Sequence, residues 1–287
     1  VFDMNSKNIW RTYGSTSLFV LLWSSGAIFS RWGLDYSSSF AILTVRFVIA
    51  FLCLLLLCVF RKHYLPASGS IGKVAGTGLL MIAGYSIFYF LALEHGITPG
   101  ILATVMGIQP IITLLVIEKH FSVRRLLGLF LSLMGLILVV FQGLVMTNFS
   151  FLGTFFALSA LGCMSLGAIF QKRIQQSPSE VLPLQYGVSL IACLLFVPFK
   201  PFHIEFTTGF IVSVLWLGLV ISVAAQLLLY RLINAGNLVN VTSLFYLVPC
   251  VTALMDYLFL GNALSTLSMI GMVAIITGLA FVFREKK

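Results

Sequence analysis

Long apolar runs separated by short polar stretches make up almost the whole chain. A run of about 20 apolar residues is the length that crosses a bilayer as a helix. Such runs fall near 14–33, 38–60, 72–93, 98–117 and 124–143, and again near 150–172, 181–199, 210–232, 238–260 and 265–283. The pattern predicts an all-α integral membrane protein with ten transmembrane helices and short ends at 1–13 and 284–287. No connection is long enough to be a separate domain, the longest running from about Arg61 to Ile71. Function must then lie among the helices.

Alternate connections divide sharply by charge. Of the 17 Lys and Arg, 14 fall on one side, among them Lys7, Arg61, Lys73, Arg124, Arg125, Lys172, Arg231 and Lys287; the other side holds Arg31 and Lys200, and Arg46 lies inside a run. Because basic residues near span ends stay on the cytoplasmic side, both termini are expected there, with the first helix as its own targeting signal. This topology accounts for the net charge of +9 without an acidic partner or nucleic acid. Only 9% of residues are charged and 60% are hydrophobic, against about 25% charged in an ordinary soluble chain. Disordered, collagen-like and soluble-enzyme readings are excluded. Five cysteines sit inside apolar runs without metal-ligand spacing and read as packing residues. Neither a cofactor nor a metal is implied.

The chain also echoes itself. Trp23-Ser-Ser-Gly-Ala-Ile-Phe-Ser-Arg31 overlays Met164-Ser-Leu-Gly-Ala-Ile-Phe-Gln-Lys172, Pro110 and Thr113 overlay Pro249 and Thr252, and Gly128 and Gly135 overlay Gly271 and Gly278. Three overlays in one order predict two repeats, 14–143 and 150–283, of five helices each. An odd number of spans per repeat inverts the second against the first. In transporters such inverted repeats place a substrate site near the bilayer midplane and expose it alternately to each side.

These residues carry a resemblance. The Trp23-Ser-Ser-Gly run, the Arg46-Phe pair, Ala92-Leu93, Pro110, Glu118, Gly128 and Gly135, then Pro249, Gly261-Asn262, Gly271 and Gly278 resemble the EamA-type family of the drug/metabolite transporter superfamily over essentially the whole length. Asn262 stands where that family usually has Glu. The resemblance implies a bacterial inner-membrane exporter or permease of small metabolites, with a central cavity lined mainly by helices 1, 3, 4, 6, 8 and 9.

Within the runs, the polar and aromatic residues at mid-depth are the candidates for contact with a solute: Trp23, Ser24, Tyr85, Tyr89, Gln109, Ser165, Gln226 and Tyr246. Such groups join an apolar face to a single hydrogen-bonding tip, which suits an amphipathic or aromatic metabolite, though each also fits a packing role or an interhelical bond. Arg46 lies eight residues past Ser38, about 12 Å into the bilayer, where a guanidinium must face protein or a watery cavity. It reads either as a counter-charge for an anionic solute or as a structural cation. Asp256 is the carboxylate well inside a run and closes a stripe with Thr242, Tyr246, Pro249 and Thr252 or Ala253; it is a proton-coupling candidate, as is Glu94 beside His95, each against a bland reading as a solvated or paired group. Pro110 and Pro249 remove backbone donors and should free the carbonyls of Met106 and Phe245, giving hinges, ligand acceptors or simple kinks. Trp216 and Tyr230 read as interfacial belt residues. Glu118 with Lys119, His120, Arg124 and Arg125 reads as a locally paired turn.

The sequence therefore predicts a secondary transporter of amino acids or related amphiphilic metabolites, exporting by alternating access, with lipid, a small solute and a proton as partners and a monomer or weak homodimer as its state. The alternatives are a carrier of nucleotide sugars or other anionic metabolites, a channel, and a polytopic enzyme. The last lacks an HExxH, a Gly-x-Ser-x-Gly elbow or a paired intramembrane Asp.

Overall fold

A computed structural model gives the fold. It describes residues 6–61, 66–118, 122–145, 150–260 and 265–284, and within these the side chains other than those of 6–13, 61, 142–145 and 256–260. The chain is all-helical, and among the described residues nine helices are long and apolar enough to cross a membrane. They are α2 (Ser39–Arg61), α3 (Ile71–Glu94), α4 (Pro99–Ile117), α5 (Val123–Val145), α6 (Phe151–Lys172), α7 (Pro178–Phe196), α8 (Thr208–Ala235), α9 (Leu238–Ser243 continuing through Leu244–Tyr246 into Leu247–Leu260) and α10 (Thr266–Phe283). They follow α1 (Ser6–Leu34), which begins eight residues before the apolar run because no Pro or Gly interrupts the polar turns ahead of it. α7 begins earlier than its hydropathy suggests, at Pro178, whose fixed φ suits a first helical position.

Polar residues set the boundaries. The hydroxyls of Thr98, Ser150, Thr207 and Ser265, and the amide oxygen of Asn237, accept from the backbone N–H three residues on and cap α4, α6, α8, α10 and α9. Leu52, Leu56, Phe155, Ile191, Leu195 and Val273 point outward, as a lipid-facing surface requires. The interior holds Phe19, Phe47, Phe90, Tyr186 and Tyr230.

Departures from regular helix come at four places within these helices. α3 loosens into a π-helical segment at Leu79–Gly84, and α8 does so at Trp216–Ala225. α4 breaks at Gly107 and Ile108, and α9 tightens into a 3₁₀ turn at Leu244–Tyr246. Both breaks lie just before a proline, Pro110 or Pro249, whose missing N–H leaves the carbonyl four residues back without its helical donor. The breaks also meet. The Tyr246 hydroxyl donates to the Gly107 carbonyl at 2.6 Å, and each residue stands three before its proline.

α5 and α10 run antiparallel along a glycine seam, Gly128 against Gly278 and Gly135 against Gly271. A methyl on Gly135 would stand 2.6 Å from the Gly271 carbonyl oxygen, and one on Gly271 would stand 2.5 Å from that of Gly135. The Ser132 hydroxyl spans the seam to the Ile275 carbonyl at 3.4 Å. A single interhelical hydrogen bond within a membrane contributes only about 0.6 kcal/mol, so close backbone packing carries this contact.

Hydrogen bonds define two ends. At one, Ser37 bridges to Ile204, the Ser39 N–H donates to Glu94 and the Ser38 N–H to the His203 carbonyl. At the other, the connections around Ala67, Glu118, Gln176 and Asn237 are tied together.

Candidate functional site

A cavity of about 600 Å³ enters the bundle from the first of these ends. Its rim carries Arg31, Trp32, Asp35, Pro99 and Gly100, and it reaches Trp23, Met106, Met164 and Phe245. From Leu34 to Trp23 the α1 wall is about 16 Å deep at 1.5 Å per residue. Trp23 and Phe245 close the floor edge-on to each other, backed by Phe19, with ring centroids 5.3 to 5.6 Å apart. Tyr85 and Tyr89, one helical turn apart on α3 with centroids 5.7 Å apart, form a side wall with Phe90. α2 and α5 also contribute, through Arg46 and through Val139 and Val140, which adds two helices to the set that the family resemblance implies.

Arg46 stands in this wall. Its Nε donates to the Ser222 hydroxyl on α8 at 2.7 Å, and Tyr186 of α7 lies beside both groups. Tyr85 and Tyr89 lie within electrostatic reach of the guanidinium. No carboxylate pairs with it among the described residues. Ser222 falls within the π-helical segment of α8, whose wider turn sets the phase of that wall.

The cavity thus gathers Trp23, Tyr85, Tyr89, Arg46 and Pro249 from the candidates. Others lie outside its lining. Ser24 is fully buried and donates to the Val20 and Val248 carbonyls, at 2.6 and 3.3 Å. Tyr246 points to Gly107 rather than to the cavity, and Pro110 lies buried beyond Met106. Gln109 and Ser165 are buried, and the Gln109 Nε2 and Ser165 Oγ lack partners. Gln226 is buried on α8 below the floor. Glu94 is exposed at the open end, where it accepts from the Ser39 N–H at 3.2 Å and so places an anion at the start of α2. The side chain of Asp256 lies outside the described residues, as do Asn262, Lys119, His120 and the chain ends.

The belt expectation is overturned for Tyr230, while Trp216 is half-buried and bonded to a neighbouring helix. Tyr230 is fully buried and donates to Gln185 at 2.7 Å, with Gln185 donating in turn to Gln171 at 3.0 Å. Trp216 donates to Ser25 at 2.9 Å and stacks on Phe29 at 5.0 Å. Both contacts follow from where their helix faces: α8 lies against α1 and α7.

The opposite end is shut by groups that hydropathy does not single out. Lys172 donates to the carbonyls of Ile233, Asn234 and Gly236 at 2.7, 3.0 and 2.7 Å, capping the end of α8. Arg125 pairs with Glu118 and also donates to Asn240 at 2.9 Å and Asn237 at 3.3 Å, while Asn237 donates to Glu118. The charged turn around Glu118 is therefore tied across to the start of α9 as well as paired locally. Asn237, which follows Gly236 at a capping position, is the sequence signal that points to this junction.

A multi-helix membrane protein with an internal cavity open at one end has the form of a solute transporter, and comparison with known proteins agrees. A model of the EamA-like transporter family matches residues 13–141 and 151–284. The chain belongs to that family. It is similar to the uncharacterized transporter YdfC of Bacillus subtilis, at 24% identity over 94% of this chain and 90% of that one. It is likewise similar to a probable amino-acid metabolite efflux pump of Salmonella typhimurium, at 24% identity over 94% of this chain and 95% of that one. A crystal structure 18% identical in sequence superposes with a TM-score of 0.78 over 94% of this chain and 98% of its own, which shows the shared fold.

Proposed function

We propose that the protein is a secondary transporter that exports small organic metabolites, amino acids or related amphiphilic compounds, across the bacterial inner membrane by alternating access. In this reading α1 is the first of ten spans, the halves are inverted five-helix repeats, and the termini are cytoplasmic. The observation that carries it is a 600 Å³ cavity walled by aromatic rings and, at depth, the Arg46 guanidinium, open at one end and blocked at the other by Lys172 and the Arg125–Glu118 pair. A passage closed on one side only is what a carrier presents in one of its two states.

The repeat reading draws support from the glycine seam. Gly128 contacts Gly278, and Gly271 contacts Gly135; a half-turn that carries 128 to 271 and 135 to 278 maps the first contact onto the second. The Gly107–Tyr246 contact fits the same operation. The family matches in two stretches, and relatives in Salmonella typhimurium and Escherichia coli bear the name of probable amino-acid metabolite efflux pumps.

Counterflow in proteoliposomes tests the proposal. A carrier loaded with an unlabelled solute accumulates the labelled form from outside, a channel only equilibrates it, and an enzyme returns it altered. Proton coupling is assigned to Asp256 or Glu94; exchange by Asp256→Asn and Glu94→Gln with unchanged pH dependence would remove both from that role.

A further inference from the structure

We propose that the cavity recognises a small organic monoanion, a carboxylate on an apolar or aromatic body, and that the Arg46 guanidinium holds the carboxylate. This rests on the transporter reading and sharpens its substrate class. The described partners of Arg46 are neutral: the Ser222 hydroxyl takes its Nε–H, and Tyr186 lies alongside. A guanidinium carries five N–H donors in a planar fork, so donors remain for a ligand on the cavity side, where Arg46 is part of the lining. The Ser222 bond fixes the plane of that fork. An arginine whose plane is fixed and which has no carboxylate partner among the described residues matches a carboxylate in bidentate geometry.

The rest of the cavity narrows the class. The described carboxylate on the lining is Asp35, at the solvent rim and paired with Arg31, its side chain 52% exposed. The described depth of the cavity thus offers no counter-charge to an ammonium, and Arg46 repels one. One deep guanidinium neutralises one anionic group, so a phosphate dianion would leave a charge unmatched. Trp23, Tyr85, Tyr89, Phe90 and Phe245 supply ring faces for an apolar body.

The test uses four probes on one skeleton: 3-phenylpropanoate, phenylalanine, phenethylamine and phenethyl phosphate. Thermal stabilisation of the purified full-length protein gives binding, and counterflow gives exchange. The expected order is the monocarboxylate at or above the amino acid, the phosphate weaker, and the amine without effect. Arg46→Gln should weaken carboxylate binding by about 10-fold to 100-fold, as the loss of a charged hydrogen bond does, with Arg46→Lys recovering part of it. The probe order on the unaltered protein stands even where a variant fails to fold. Stabilisation by the amine equal to that by the acid, or undiminished acid binding by a folded Arg46→Gln, overturns the assignment. Exchange of the amine alone would overturn it while leaving a carrier in place. Absence of exchange for every probe and for a panel of aliphatic monocarboxylates and their amines would overturn both.

Discussion

At the closed end Lys172 reaches three backbone carbonyls, whereas at the open end Arg31, its counterpart 141 residues earlier, reaches only Asp35 one turn along. The second lock differs as sharply. Arg125, three residues before Gly128, engages Asn237 and Asn240 at the start of α9. Three residues before Gly271 stands Ser268, and the capping position that matches Asn237, twelve before its proline, is Thr98. In this second lock an arginine and an asparagine hold one end, and hydroxyls occupy the matching positions at the other. An exposed ion pair such as Arg31–Asp35 contributes about 0–1 kcal/mol, while a hydrogen bond from a charged group contributes about 1.5–3 kcal/mol. In the alternating-access reading proposed above, this difference would favour the state with the cavity mouth open. On the same proposal, Arg31 would in the opposite state cap the carbonyls of the α3–α4 connection as Lys172 caps those that follow α8.

The comparison can be broken in graded steps. The largest effect is expected from Gly278→Leu, because a Cβ there lies 2.5 Å from the Gly128 carbonyl oxygen; the seam joining the halves would fail, with a loss above about 4 kcal/mol, read as loss of monodisperse protein in size-exclusion chromatography. Lys172→Ala comes next. Uncapping three carbonyls should lower stability by about 2–3 kcal/mol and open the closed end, so that a cysteine placed at Ser165 in a background without the five native cysteines reacts with an impermeant thiol reagent from that side. An unchanged labelling rate would show that Lys172 does not seal the path. Glu118→Gln keeps the Arg125–Asn240 bond and, because the Arg125–Glu118 pair is mostly buried, should cost about 1.5 kcal/mol, visible as a small drop in the melting midpoint. The smallest static effect belongs to Arg31→Ala, within about 0.5 kcal/mol of the parent, yet counterflow should slow severalfold. Counterflow at the parental rate would remove the matching role given to Arg31.

Much of this architecture is legible in the amino-acid sequence, and the reasons are local. Span positions follow from apolar run length, and the glycine seam and both helix breaks can be read from Gly128, Gly135, Gly271, Gly278, Pro110 and Pro249. The direction of individual side chains cannot. A stripe through Thr242, Tyr246, Pro249 and Thr252 assumes one helical phase along α9. The 3₁₀ turn at Leu244–Tyr246 shifts that phase at the start of the stripe: Pro249, Thr252 and Ala253 do line the cavity, beside Phe245 and Val248, while Thr242 is buried off it and Tyr246 turns to Gly107. Phase is likewise lost across the π-helical segments of α3 and α8, where the turn is wider than 3.6 residues. The seal at the closed end depends on contacts between residues more than 60 positions apart, such as Lys172 with Ile233 and Arg125 with Asn240, which one sequence does not pair.

In the inverted-repeat reading proposed above, the Tyr246–Gly107 bond joins equivalent points of the two halves. If the halves trade conformations, such a point maps onto itself and has nowhere to go. A pair of spectroscopic reporters there would hold a constant separation through the cycle, while pairs across Arg31–Pro99 and Lys172–Gly236 would lengthen and shorten in opposition. The molecule would thus carry its own fixed ruler, against which the swing of either gate can be read.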